Sequence, residues 1–182
     1  MIEELRRRFA VRALAAALAA RTPLDLAPHP GHRTLLVVLP DDELGQRATW
    51  SLLDHVDLGA RQIHPVVMGE RVAYQPDRFA GAVRTIGDGE RDWRRLPTAA
   101  ARQSVWTTRP DVALNLAGPS DLASAMLVGG SPAAVRIGRH APGREDCYDL
   151  MVQGEPDAAS AADALGRLLR QITPPILPLP TC

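Results

Sequence analysis

Lysine is absent from this sequence, and all 21 basic residues are arginine. That absence excludes a Schiff base, the lysine of a phosphate-binding loop and any catalytic lysine. The arginine and alanine bias is what a GC-rich bacterial genome would write. Cysteine is nearly absent too: Cys147 and Cys182 are far apart and form neither a disulfide framework nor a zinc pattern. Cys147 precedes an apparent strand and reads as a small buried thiol, while Cys182, the last residue, reads as exposed. There is no net charge, 21 acids balancing 21 bases, so no global field draws in nucleic acid or an anionic membrane, and neither is an expected partner. No apolar run approaches the roughly 18 residues of a membrane span. A GxGxxG after the first strand and a GxSxG elbow are both missing, which removes the usual dinucleotide and hydrolase signatures.

What is present is alternation. Residues 1–22 read as an amphipathic helix with Ile2, Leu5, Phe9, Ala13 and Ala16 near one face. Arg7-Arg8-Phe9 and the following alanines bear a weak likeness to a twin-arginine leader. Glu3, Glu4 and Arg12 break that pattern, so a plain helix and a cytoplasmic chain are the expectation. Pro23, Pro28, Pro30 and Gly31 then mark a loop. Thr34–Leu39 (TLLVVL) is a continuous apolar, β-branched run of the kind covered on both faces in a parallel sheet. Asp41 or Asp42 can cap a helix to about residue 57. Gln62–Met68 reads as a second strand, either at an edge or starting after Pro65, because that proline cannot donate to a ladder. Val83–Ile86 is a short third strand, and Pro97 opens a helix to about Thr108. Val112–Leu116, a helix over 119–128, Ala134–Ile137, Asp149–Val152 and a closing helix over 158–172 complete the series. The tail 173–182 is proline-rich and extended. Strands and helices alternating at this spacing predict one α/β domain, Rossmann-like, three-layered and mostly parallel, over 33–172.

In such sheets ligands lie beyond the carboxyl ends of the strands, where strand order reverses. Two loops qualify, PDDELGQ after the first strand and NLAGPSD after the fourth. Their candidate ligand-binding groups are Asp41, Asp42, Gln46, Asn115, Gly118, Ser120 and Asp121. The alternative is structural: Asp42 caps one helix, Ser120 or Asp121 starts another, and Asn115 satisfies strand-end backbone. LLVVLPDDE has the acidity of a phosphoacceptor pocket but lacks the lysine that pocket needs. His29-Pro-Gly-His32 offers two metal donors with no third, which reads as a loop. His55 and His64 have no partnered nucleophile in view. In ERDWRRLP, Arg91, Arg94 and Arg95 around Trp93 could stack on a base, but pairing with Glu90 and Asp92 in a solvated cluster is the plainer expectation. PILPLP near the end could be read by a proline-binding domain or lie along its own surface. No catalytic residue, metal or cofactor is assigned.

Three motifs in order, DWRRLP, RPDVALNLAGPSDLASAMLVGGSPAAVRIGRH and CYDLMV, resemble a bacterial family of small α/β domains of unknown function. The likeness runs from Thr34 to Ile172 and is clearest from Asp92 onward; it implies the fold and a cytoplasmic setting, with no catalytic residue. More distantly, DVALNLAGPSDLASAMLVGG followed by AVRIG is similar to the N-terminal half of the lipopolysaccharide heptosyltransferase family of glycosyltransferases. That likeness implies a shared half-fold, with Asn115, Gly118, Ser120 and Asp121 near a sugar site. Those enzymes bind the donor mainly through a second domain, and their glycine-rich first loop is PDDELGQ here. Two functions are therefore expected: a non-catalytic domain binding a small polar ligand or a protein, with a homodimer through the N-terminal helix, or the nucleotide- or sugar-binding half of a glycosyltransferase-like enzyme.

Overall fold

A computed structural model describes residues 1–21, 33–55, 60–77, 82–153, 164 and 167. Six strands form one sheet: β1 (Arg33–Leu39), β2 (Ala60–Val67), β3 (Arg84–Thr85), β4 (Val112–Asn115), β5 (Val135–Arg139) and β6 (Leu150–Val152). Their order is β3-β2-β1-β4-β5-β6 and every pairing is parallel. The α-helices bounded among the described residues are α1 (Ile2–Ala19), α2 (Glu43–His55), α3 (Ala99–Trp106) and α4 (Leu122–Gly129). This is the single Rossmann-like α/β domain that the alternation predicts.

The pleat explains why β1 reads as continuous apolar sequence. Leu36 and Val38 face one layer with α1, α3 and α4 residues, whereas Leu35, Val37 and Leu39 face the other with Trp50, Leu52 and Leu53 of α2. A central parallel strand has no wet face, so nothing polar can alternate. Pro65 is not at an edge: β2 lies between β1 and β3, and Pro65 stands opposite Val37. It is accommodated because β3 is two residues long and begins its pairing only at Val66, leaving the proline beside β1 alone.

Helix starts follow side-chain capping more closely than they follow proline. Thr98, one residue after Pro97, accepts from the Ala101 amide at 3.2 Å and sets the start of α3. Asp121, two after Pro119, accepts from the Ala123 amide at 2.9 Å and sets the start of α4. Both are ordinary N-caps.

The inward face of α1 differs from the expected one. Ala10 and Leu14 are buried, with Ala13, Ala17 and Leu18 packed behind them. Ile2, Leu5 and Phe9 are exposed. The cause is the surface α1 lies on. A Cβ on Gly129 would come within 2.9 Å of Leu18, and one on Gly130 within 3.5 Å of Ala17. The α1–α4 contact is closest at the C-terminal end of α1, where Ala17 and Leu18 meet the two glycines; Ile2, Leu5 and Phe9 lie nearer the other end of the helix. The closing helix over 158–172, the tail 173–182 and the His29–His32 turn lie outside the described residues, apart from residues 164 and 167.

Candidate functional site

Strand order reverses between β1 and β4. Successive strands run outward from β1 through β2 to β3, then the chain crosses back through α3 to β4 on the other side of β1. Leu36 pairs with Ala113 and Val38 with Asn115, and the Leu116 amide donates to the Val38 carbonyl at 2.9 Å. The loops that follow β1 and β4 therefore leave the sheet side by side, at the place where parallel α/β sheets open a crevice.

The seven candidate residues divide into a frame and three positions outside it. Asp42 accepts from the Gly45 amide at 2.7 Å and caps α2. Gly45 allows this tight turn, since a Cβ there would sit 2.7 Å from Pro40 and 2.9 Å from the Asp42 carboxylate. Gln46 is fully buried. Its amide nitrogen donates to the Pro40 carbonyl at 2.8 Å and its oxygen accepts from the Tyr74 amide at 2.7 Å. Trp50 Nε1 donates to the Tyr74 carbonyl at 3.1 Å, so α2 holds both polar backbone groups of Tyr74, with Arg47 over its ring at 3.9 Å. Gln46 thus works as a clamp on the irregular segment after β2. Asp121 is the α4 cap. Asp41 and Ser120 have exposed side chains, and Gly118 opens onto free space, with no atom within 4 Å of where a Cβ would stand. Among the described residues, these three positions carry no structural hydrogen bond through their side chains.

Asn115 is the centre of the frame. Its amide donates to Ser124 Oγ at 3.0 Å and to the Tyr148 hydroxyl at 2.6 Å, and its oxygen accepts from the Ala117 amide at 3.0 Å. Ser124 in turn donates to the Asp121 carbonyl at 3.0 Å. Both amide protons of Asn115 are therefore committed to the protein. Burial pushes the Tyr148 phenol well above its ordinary range, more than the Asn115 hydrogen bond lowers it. At neutral pH this phenol is neither a base nor a nucleophile.

Sequence reasoning missed three residues that shape the loop. Tyr148 reaches Asn115 from 33 positions away, passing over Gly138, where a Cβ would come within 2.6 Å of the ring. The glycine of the Arg-Ile-Gly strand is thus a clearance for the tyrosine. Arg144 donates to the carbonyls of Pro119 at 2.7 Å and Ser120 at 2.9 Å, clasping the turn from the loop after β5. Their signal, a polar GREDCY stretch before a strand, is indistinguishable from an ordinary loop without the pairing of β5 beside β4.

Other reactive groups stand apart from the crevice. Cys147 is buried, and burial pushes its thiol up despite Arg144 and Arg21 nearby; it is a packing residue. His140 Nε2 lies 3.9 Å from Glu145. Among the described residues no three of His, Cys, Asp and Glu cluster as metal ligands, and no helix is long and apolar enough to cross a membrane. In ERDWRRLP, Asp92 pairs with Arg94, while Glu90 pairs with Arg84 on β3. Trp93 packs edge-on against Phe9 with ring centres 5.5 Å apart. No protein-family model matches the chain, and no curated protein is significantly similar to it.

Proposed function

We propose that this chain is a non-catalytic ligand-binding domain of a bacterial cytoplasm, taking a small polar ligand in the crevice between residues 40–46 and 115–121. The observation that carries the reading is the reversal of strand order between β1 and β4, the position ligands favour in open parallel sheets. Gln46 and Asn115 commit their amides to the protein, and Asp42 and Asp121 each cap a helix with one carboxylate oxygen, which preorganises the loops. Asp41, Ser120 and the backbone at Gly118 remain to meet a ligand. The resemblance to the bacterial family of unknown function agrees with such a role. The resemblance to the heptosyltransferase half-fold supports the alternative, a nucleotide- or sugar-binding half of a transferase. Its motif residues lie in this same loop, so both readings predict the same crevice.

Thermal unfolding against a panel of nucleotides, sugars and nucleotide sugars tests both. A true ligand at about 100 times its Kd adds roughly 2.7 kcal/mol, which is on the order of 5 °C for a chain of this size. Gly118→Leu, which projects into open space without strain, is expected to abolish that rise. A nucleotide-sugar response would favour the transferase half. No response across the panel, or one that Gly118→Leu leaves intact, contradicts a ligand at this crevice.

A second reading has its own observation. Ile2, Leu5, Phe9 and Trp93 form an apolar strip on α1 and its neighbouring hairpin, exposed by 72, 52, 40 and 60%. Contiguous exposed apolar surface marks interaction sites, and a second copy of the chain is the simplest partner. Leu5→Glu with Phe9→Glu is expected to convert a dimer to a monomer in sedimentation without lowering Tm. A wild-type chain that sediments as a monomer removes the homodimer.

A further inference from the structure

Beside the β4 loop, but separate from the β1 loop, lies an open cleft of about 250 Å³. Three segments build it: one face of α1, the hairpin at 91–96 and the first turn of α4. Five arginines line it, Arg6, Arg7, Arg91, Arg94 and Arg95. Two are held by carboxylates, Arg6 by Glu3 at 2.6 Å and Arg94 by Asp92 at 2.5 Å. Arg7 and Arg95 have no acid partner among the described residues, and Arg91 donates only to the Ile86 carbonyl at 3.1 Å. The Nε atoms of Arg6 and Arg91 are buried with no acceptor. An unmet buried donor is costly and rare in a folded chain.

The hairpin adds a second, independent sign. The Arg95 amide donates to the Asp92 carbonyl at 2.8 Å, the Asp92 amide to the Leu96 carbonyl at 2.8 Å, and Arg91 bridges Pro97. Arg95 stands where such a turn wants glycine, at φ +62°. A long charged side chain is kept at a strained backbone position and at the mouth of a cationic cleft. The α4 N-terminus contributes little, because Asp121 already caps it.

We infer that this cleft binds the phosphoryl group of a small soluble molecule, with Arg7, Arg91 and Arg95 as its principal contacts. Guanidiniums match oxyanions through paired donors. Guanidiniums converging from α1 and from the hairpin suit a tetrahedral, doubly charged group better than a planar carboxylate. The cleft is smaller than the roughly 300–1,000 Å³ of sites that enclose a whole drug-sized ligand, so it holds the charged end of a molecule. The cleft shares Ser120 and Asp121 with the β4 loop, but its cations come from α1 and the hairpin, so the inference does not rest on a ligand between the β1 and β4 loops.

The test is isothermal titration of the full chain with inorganic pyrophosphate at low salt, with citrate as a carboxylate control. Saturable binding of pyrophosphate in preference to citrate is expected. Arg7→Gln and Arg95→Gly are each expected to weaken it by about 10-fold or more, and Arg12→Gln, outside the cleft, to leave it unchanged. Arg95→Gly should also raise Tm, because glycine relaxes the left-handed position; a structural arginine would lower Tm when removed. Absence of binding, equal affinity for citrate, equal loss in Arg12→Gln or full retention in both cleft variants overturns the inference.

Discussion

Asp149→Ala is expected to destabilise the chain by roughly 3–5 kcal/mol, read as a lower urea midpoint at unchanged slope. The reason is Arg136, a charged residue in the middle of β5 with no exposed surface. Its guanidinium donates to the Asp149 carboxylate at 3.0 Å and twice to the Ser131 carbonyl, at 3.1 and 3.0 Å. Asp149 also accepts from the Arg136 amide at 2.9 Å, and its second oxygen lies 3.6 Å from Arg21 at the end of α1. One carboxylate thus ties β5, the start of β6 and the N-terminal helix together. Removing it takes away the carboxylate that the buried guanidinium meets at 3.0 Å. Arg136→Met with Asp149→Leu, which removes both charges, is expected to cost much less than Asp149→Ala alone, because a buried ion pair contributes little over apolar packing. Equal losses in the two variants would show that the pair is not what matters.

Gly138→Ala should be strongly disruptive for a single methyl. The added carbon would stand 2.6 Å from the Tyr148 ring carbon that bears the hydroxyl, and neither the strand backbone nor a ring that is 7% exposed can give way freely. Overpacking of this kind costs about 1–3 kcal/mol, and here it also moves the hydroxyl away from Asn115. Tyr148 supplies an independent readout. Its phenol is raised by burial, so the neutral form is the one the fold favours. The contribution is therefore whole below the ordinary phenol value of about 10 and is lost as pH rises above it. In wild type, the ultraviolet titration of Tyr148 is expected to coincide with alkaline unfolding, and Tyr148→Phe to remove that component. In Gly138→Ala the same component should titrate earlier. A Tyr148 that ionises near 10 in the folded wild-type chain contradicts the buried network.

How much of this the sequence disclosed depends on what each residue answers to. β1 is legible as TLLVVL because a strand covered on both faces has no choice but to be apolar. The α2 and α4 caps are legible because Asp42 and Asp121 act on amides two or three residues away. Tertiary contacts are where legibility stops. Ile2, Leu5 and Phe9 look like an inward face by hydrophobicity, yet α1 buries Ala10 and Leu14 and sets Ala17 and Leu18 against the glycines that end α4. Nothing local to AVRIG names the partner of Arg136; β6 brings Asp149 beside it. Gly138 looks like a flexible point and is a clearance for a ring ten residues later. The arginine cleft joins α1 to a hairpin about 85 positions away, a juxtaposition that charge counting in ERDWRRLP alone cannot reach. The two loops of the crevice were legible as a pair, since reversal of strand order is a rule of the fold; which of their side chains are committed to the protein was not.

Native mass spectrometry of the purified chain beside its denatured mass decides whether the β1–β4 crevice holds a ligand. A ligand there gives a stoichiometric added mass that is lost on denaturation and absent from Gly118→Leu. A clean unliganded mass at a defined oligomeric state, for wild type and variant alike, would contradict it and leave the apolar strip on α1 as the functional surface.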